Sequence, residues 1–208
     1  MSTFQVPTRS EKAGERNAAR AGRPAQLTRD AVLGAALALA DTEGIEALSM
    51  RRLAAELGCG AMTLYTYVRD REDLLSGVVG LLIAEVEAGH LPGSSWQEDV
   101  RRAAASYRTM ALRHPRAFPA LALAPSSDPG LRAHVRRIVD GLMEGGFDEA
   151  TARELFSVVD SFGSGFLLME LSGPEEPAEG DPLEPLDESA YWRGFDVIIA
   201  GAERVLGV

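Results

Sequence analysis

Along this chain a Ser, Thr or Asp repeatedly stands directly ahead of an apolar run spaced by three and four residues: Thr28, Ser49, Asp70, Ser95, Asp128, Asp148 and Asp187. Short polar side chains at such positions accept the first free backbone N–H groups of a helix, so each one marks a helix start. Stops follow at matching intervals, at Gly44, Gly58, about Gly89, the residue before Pro115, Gly145-Gly146 and Gly173-Pro174. These residues supply the terminal conformation or the backbone break that a helix end needs. No alternating β-branched run reaches strand length, whereas 3.6-residue periodicity persists from Thr28 to the C-terminus. The pattern predicts an all-α chain of about nine helices.

The individual signals are specific. Val32, Leu33, Ala36, Leu37, Leu39 and Ala40 make one broad apolar face on the first helix, and Leu53 and Leu57 point inward on the second. A short third helix is expected from Gly60 to Val68, and a fourth from Asp70 through Leu74, Val78, Leu82 and Val86. Ser95-x-x-Glu98 is a capping box, and Asp128-Pro129 places proline at the first helical position. From Asp148 onward Leu155, Val159, Phe162, Phe166 and Met169 form one stripe, and the last helix carries Tyr191, Trp192, Phe195, Ile198 and Ile199. Two long helices this apolar on more than one face need a partner surface, and a second copy of the same pair supplies it. Between them, residues 173 to 186 read as a mobile acidic loop.

Composition enters through charge and cysteine. The formal net charge is −10, yet residues 1 to 73 carry ten basic and ten acidic groups, so the whole excess belongs to the rest of the chain. From Met1 to Arg29, Arg9, Lys12, Arg16, Arg20, Arg23 and Arg29 outweigh Glu11 and Glu15, and residues 1–27 read as a flexible basic arm ahead of an acidic body. Such an arm is either a solvated surface or a phosphate contact, and both readings stand. The lone Cys59 and three histidines leave no intramolecular disulfide and no Cys/His zinc cluster, so no cofactor or metal is expected. Apolar stretches such as Leu74 to Val86 fall short of a membrane span, which points to a cytoplasmic protein with no membrane partner.

Residues 49 to 75 then carry the function. A short helix, a glycine turn, a second short helix bearing Thr63, Tyr65 and Tyr67, and the start of a third helix trace a helix-turn-helix, whose second helix lies in the DNA major groove.

The segment from Thr28 to about Leu82 resembles the DNA-binding domain of the TetR family of bacterial regulators. The resemblance rests on Glu43-Gly44-Ile45, Leu48-Ser49-Met50-Arg51-Arg52-Leu53-Ala54, Leu57-Gly58, Met62-Thr63-Leu64-Tyr65-Thr66-Tyr67-Val68 and Arg71-Glu72-Asp73-Leu74-Leu75. The second half is similar to the tetracycline-repressor-like C-terminal domain through Trp96, the Tyr107–Met110 region, Arg113-His114-Pro115, Gly145-Gly146-Phe147 and Asp160-Ser161-Phe162-x-x-Gly165-Phe166. The resemblance implies a helix-turn-helix domain at 28–75 and a ligand-binding and dimerisation domain at 76–208. It implies a homodimer through the last two helices, about 148–172 and 187–206.

By the same resemblance Thr28, Arg51, Gly60, Ala61, Met62, Thr63, Tyr65, Tyr67 and Arg71 fall at DNA-contacting positions. The first residues of the recognition helix read bases, and Tyr65, Tyr67 and Arg71 hold phosphates. Ala61 stands where the family often has a polar residue, so readout rests on apolar contact with thymine methyls together with Thr63 and Arg51. For the two tyrosines the competing reading is core packing, although side chains two apart on a short helix cannot both point inward. Arg52 reads as solvated or salt-bridged, Cys59 as a small buried group. Tyr107, Met110, Phe118, Asp160, Phe162, Phe166 and Met169 are the candidate effector contacts, the aromatic and Met stripe among them being core by default, although in this architecture the pocket is carved from that same core. His114 resembles a recurrent family element at a helix end. A metal there needs a second ligand that the sequence does not place.

The resulting expectation is a homodimeric regulator of double-stranded, pseudo-palindromic operator DNA, a repressor released by an unidentified small-molecule effector, and not an enzyme. The alternative is a small-molecule-binding regulator that acts through protein contacts without specific DNA binding.

Overall fold

A computed structural model describes residues 27–89, 95–172 and 187–206. The basic arm, the break at 90–94 and the acidic loop at 173–186 lie outside the described residues. Among the described residues there is no strand, and the helices are α1 (Arg29–Glu43), α2 (Met50–Glu56), α3 (Ala61–Leu64), α4 (Arg71–Gly89), α5 (Trp96–Arg113), α6 (Phe118–Ala122), α7 (Pro129–Glu144), α8 (Glu149–Leu171) and α9 (Glu188–Leu206), with a 3-10 turn at Ile45–Ala47 between α1 and α2.

Every cap expected from the sequence forms. Thr28 Oγ1 accepts the Ala31 N–H at 3.1 Å and Ser49 Oγ that of Arg52 at 3.2 Å. Asp70 accepts from Asp73, Ser95 from Glu98, Asp128 from Leu131, Asp148 from Thr151 and Asp187 from Ala190. Each such cap contributes about 1 kcal/mol to holding its helix start in place. The recognition segment is regular over a shorter span than expected. Only Ala61–Leu64 is α-helix, and Tyr67 and Val68 then both donate to the Leu64 carbonyl to close the segment.

The first four helices share one apolar core. Val32, Ala36, Leu48, Leu53, Leu64, Leu74 and Val78 are fully buried in it, the Val and Leu side chains each contributing on the order of 1.5–3 kcal/mol. Helix α1 lies against α4 so closely that a Cβ on Gly77 would sit 2.4 Å from Leu33 Cδ2. Helix α4 runs unbroken over Arg71–Gly89, as its apolar spacing predicts. Its first half belongs to the head, while Leu82, Ile83 and Val86 enter the same buried cluster as Val100, Met110 and Phe118 of the body. Helices α5, α6 and α7 all pack on α4, and α8 is surrounded by α5, α6, α7 and α9. A satellite core of Val139, Leu142, Phe147, Ala152, Leu155 and Ala202 holds α7, α8 and α9 together. One rigid helix therefore carries the head on the body.

Candidate nucleic-acid interface and body cleft

Within the head, α2 and α3 meet across a turn that only glycine enters easily, with Gly58 at φ 62°. Leu53, Ala54, Leu64 and Val68 are buried between them. That fixes which side of α3 faces out. Met62 is 78% exposed and Tyr65 48%, and Gly60, Thr63 and Thr66 are exposed beside them. Ala61 and Tyr67 are half-buried against the core. The two tyrosines thus part company, Tyr65 outward and Tyr67 partly inward. Arg51 is exposed at the start of α2 and makes no ion pair among the described residues, whereas its neighbour Arg52 is tied to Glu43 and Glu56. Hydrogen bonding from Arg52 holds the Glu43 carboxyl below its ordinary value.

A second set of charges frames this exposed surface. Arg29 Nη2 and Nη1 donate to both Asp73 oxygens at 3.0 and 3.1 Å, and Nη1 also donates to the Tyr67 carbonyl at 2.6 Å. The Asp73 carboxylate accepts the Arg69 N–H as well, at 2.9 Å. The Arg29 hydrogen bond first, and the Arg69 amide second, hold Asp73 down at about 2. One residue at the start of α1 thereby sets α4 against the end of α3. Arg71 is exposed and donates from Nε to the Leu48 carbonyl at 2.9 Å and from Nη2 to that of Ile45 at 3.4 Å. A guanidinium has five donor hydrogens, so Arg71 pins the α1–α2 connection without using all of them. Thr28 spends its oxygen on the α1 cap and keeps its hydroxyl proton.

In the body the candidate effector residues divide. Met110 and Phe118 are fully buried, and the Tyr107 ring meets Phe118 edge-on at 5.4 Å. Phe162 and Phe166 stack into an aromatic cluster with Tyr191 and Phe195 of α9, while Met169 is 64% exposed on the outer side of α8. Tyr107 is hydrogen-bonded to Ser164 at 2.8 Å, and Ser164 reaches Asp160 at a long 3.5 Å. Burial pushes up both the Tyr107 phenol and the Asp160 carboxyl. Arg108 and Glu170 pair at 2.7 Å with most of both side chains covered, and the Arg108 guanidinium lies 5.8 Å over the Tyr191 ring.

An open cleft of about 860 Å³ runs along α7 and α8, floored by Leu131, Val135, Val139 and Phe156 and edged by Ser126, Arg132 and Asp160. Of the sequence candidates only Asp160 lines it; Tyr107, Met110, Phe118, Phe162, Phe166 and Met169 do not. The α7 residues were not anticipated. Their signal is the i, i+4, i+8 spacing of Leu131, Val135 and Val139 beside Arg132 and Arg136, which marks an amphipathic helix without saying that its apolar side borders a cavity.

A helix-turn-helix head with outward Arg51, Met62, Thr63 and Tyr65, carried by one helix on an all-α body with a cleft, defines a DNA-binding regulator. Family comparison agrees in both halves. Residues 32–78 match the model described as bacterial regulatory proteins, tetR family, and residues 89–204 match the tetracyclin repressor-like C-terminal domain. The chain belongs to the TetR family, whose members are ligand-responsive DNA-binding repressors. It is 30% identical over 198 residues to the tetracycline repressor protein class D of Escherichia coli, covering 86% of this chain and 90% of that one. It is also 30% identical over 136 residues to an HTH-type transcriptional regulator of Saccharopolyspora erythraea, covering 65% of this chain and 58% of that protein's length. Among solved structures, Streptomyces coelicolor ActR in complex with (S)-DNPA superposes with a TM-score of 0.70 at 28% identity, covering 85% of this chain and 97% of that one. No described helix is long and apolar enough to cross a membrane.

Proposed function

We propose that this chain is a homodimeric repressor whose two α3 helices enter neighbouring major grooves of a pseudo-palindromic operator, and that a small molecule in the α7–α8 cleft releases it. The observation that carries this reading is the division of labour among the head's cations. Arg29, Arg52 and Arg71 are engaged within the fold, while Arg51, beside the exposed Met62, Thr63 and Tyr65, makes no ion pair among the described residues. Met62 and Ala61 suit thymine methyl groups, Thr63 and Arg51 suit base edges or phosphates, and Tyr65, Tyr67, Thr28 and the spare donors of Arg71 suit the backbone.

A helix of one turn reads a half-site only, so two copies are needed. The outward faces of α8 and α9 supply their contact. Val158, Met169 and Val197 are exposed there, and Ala200 and Gly201 leave room for a neighbouring helix. The cleft's volume falls within the range of small-molecule sites. Its apolar floor between Asp160 and Arg132, which has no ion pair among the described residues, suits an amphipathic organic molecule with polar groups at both ends.

Selection of bound duplexes from a random library by the full-length protein tests the reading. Enrichment of an inverted repeat, with half-sites about 10 base pairs or a multiple apart, is the expected result. No enrichment at low salt, or enrichment of a single half-site by a chain that sediments as a monomer, contradicts it. Protein-contact regulation without DNA predicts the first of these failures.

A further inference from the structure

His114 ends α5 and starts α6 with its backbone: its N–H donates to the Met110 carbonyl, and its own carbonyl accepts from Ala117 and Phe118. Its side chain does something unrelated to either helix. Nδ1 lies 2.8 Å from Asp41 Oδ2, and Nε2 lies 2.9 Å from Glu85 Oε2. Asp41 is on α1, in the head, and Glu85 is on the half of α4 that packs in the body. A neutral imidazole has one N–H and one lone pair, and it cannot donate to two carboxylates; only the imidazolium can. The site is poorly solvated, with 12% of the His114 side chain exposed and 27–28% of its two partners. The other Asp41 oxygen, Oδ1, is buried and has no hydrogen-bond partner among the described residues, so its charge leans on His114.

The remaining charged groups around the ring come from α5 and the turn after it. Arg113 pairs with the other Glu85 oxygen, and Arg116 donates to the Thr42 carbonyl, next to Asp41 on α1. Glu85 therefore keeps a cation when His114 is neutral, while Asp41 does not.

We propose that His114 is the positioning residue that locks the DNA-reading head to the body, through an imidazolium shared between Asp41 of α1 and Glu85 of α4, and that losing this proton unlocks the head. The lock sits in the turn just ahead of α6, whose Phe118 meets Tyr107 and donates its backbone N–H to the His114 carbonyl. Burial works against the charge, but the two carboxylates outweigh it and raise His114 above the ordinary 6.5. A raised histidine gives a lock that is complete below about pH 6.5 and is lost as pH rises through the higher folded value. The bond that fails is the one to Asp41, since Glu85 retains Arg113.

Amide hydrogen exchange of the full-length protein at pH 6 and pH 8.5, corrected for intrinsic exchange, reads the lock with neither effector nor operator. Protection of the C-terminal half of α1 should fall about ten-fold at the higher pH, the scale of one lost hydrogen bond to a charged group. In His114→Gln the same amides should be weakly protected at both pH values, and Asp41→Asn should behave alike, while α8 and α9 are unchanged. Equal α1 protection in the unsubstituted protein at both pH values overturns the proposal without recourse to any variant. So does a pH-dependent loss that survives in His114→Gln.

Discussion

Replacing Asp73 by Asn removes the charge from the Arg29 clamp and leaves an oxygen to accept the Arg69 amide. Asp73 is held at about 2 against an ordinary 3.8, nearly two units. At about 1.4 kcal/mol per unit, the charge contributes at most about 2.5 kcal/mol. The Asp73 side chain is 12% exposed, but that of Arg29 is 43% exposed, so solvent screening reduces the figure to about 1 kcal/mol. A carboxylate held low stabilises the fold above its ordinary value and loses that contribution as pH falls through the folded one. The difference between the original protein and Asp73→Asn should therefore be about 1 kcal/mol at pH 7 and about half that at pH 3. Urea unfolding at fixed protomer concentration measures it, and in a thermal scan it corresponds to roughly 2–4 °C. Equal stability at pH 7, or a gap that stays constant down to pH 3, refutes the clamp.

Two other outcomes follow from the packing. Gly58→Ala forces a Cβ into left-handed backbone, and should cost about 1 kcal/mol in unfolding free energy and weaken DNA binding by tilting α3 on α2. Phe118→Ala empties a fully buried site beside Tyr107 and should cost about 3–5 kcal/mol by urea unfolding; a cost below 1 kcal/mol would place Phe118 in a collapsible pocket wall instead of the core.

What the sequence makes legible here is local chemistry. Thr28, Ser49, Asp70, Ser95, Asp128, Asp148 and Asp187 each act within three residues of themselves, so their helix starts can be read without knowing the fold. The outward face of α3 is nearly as legible, because Leu64 and Val68 have to go inward and leave Met62, Thr63 and Tyr65 outside. The cleft is not. An apolar stripe looks the same whether it fills a core, as Met110 and Phe118 do, or borders a cavity, as Leu131, Val135 and Val139 do. The choice is made by how α7 leans on α8, and no residue spacing encodes that angle. Met169 shares a stripe with Phe162 and Phe166 yet ends up exposed, since α9 covers the stripe only in part. The His114 lock joins residues 73 and 29 positions apart, beyond any local pattern.

Arg51 and the outward side of α3 are expected to hold operator DNA. Affinity for the selected duplex, measured by mobility shift from low to moderate salt, tests it most directly in the original protein, Arg51→Ala and Arg52→Ala. Log affinity should fall steeply and linearly with log salt. A loss of about 1–3 kcal/mol is expected in Arg51→Ala, seen at a temperature where all three are folded, with little change in Arg52→Ala. Salt-independent binding, or equal affinity in Arg51→Ala and the original protein, would contradict this expectation.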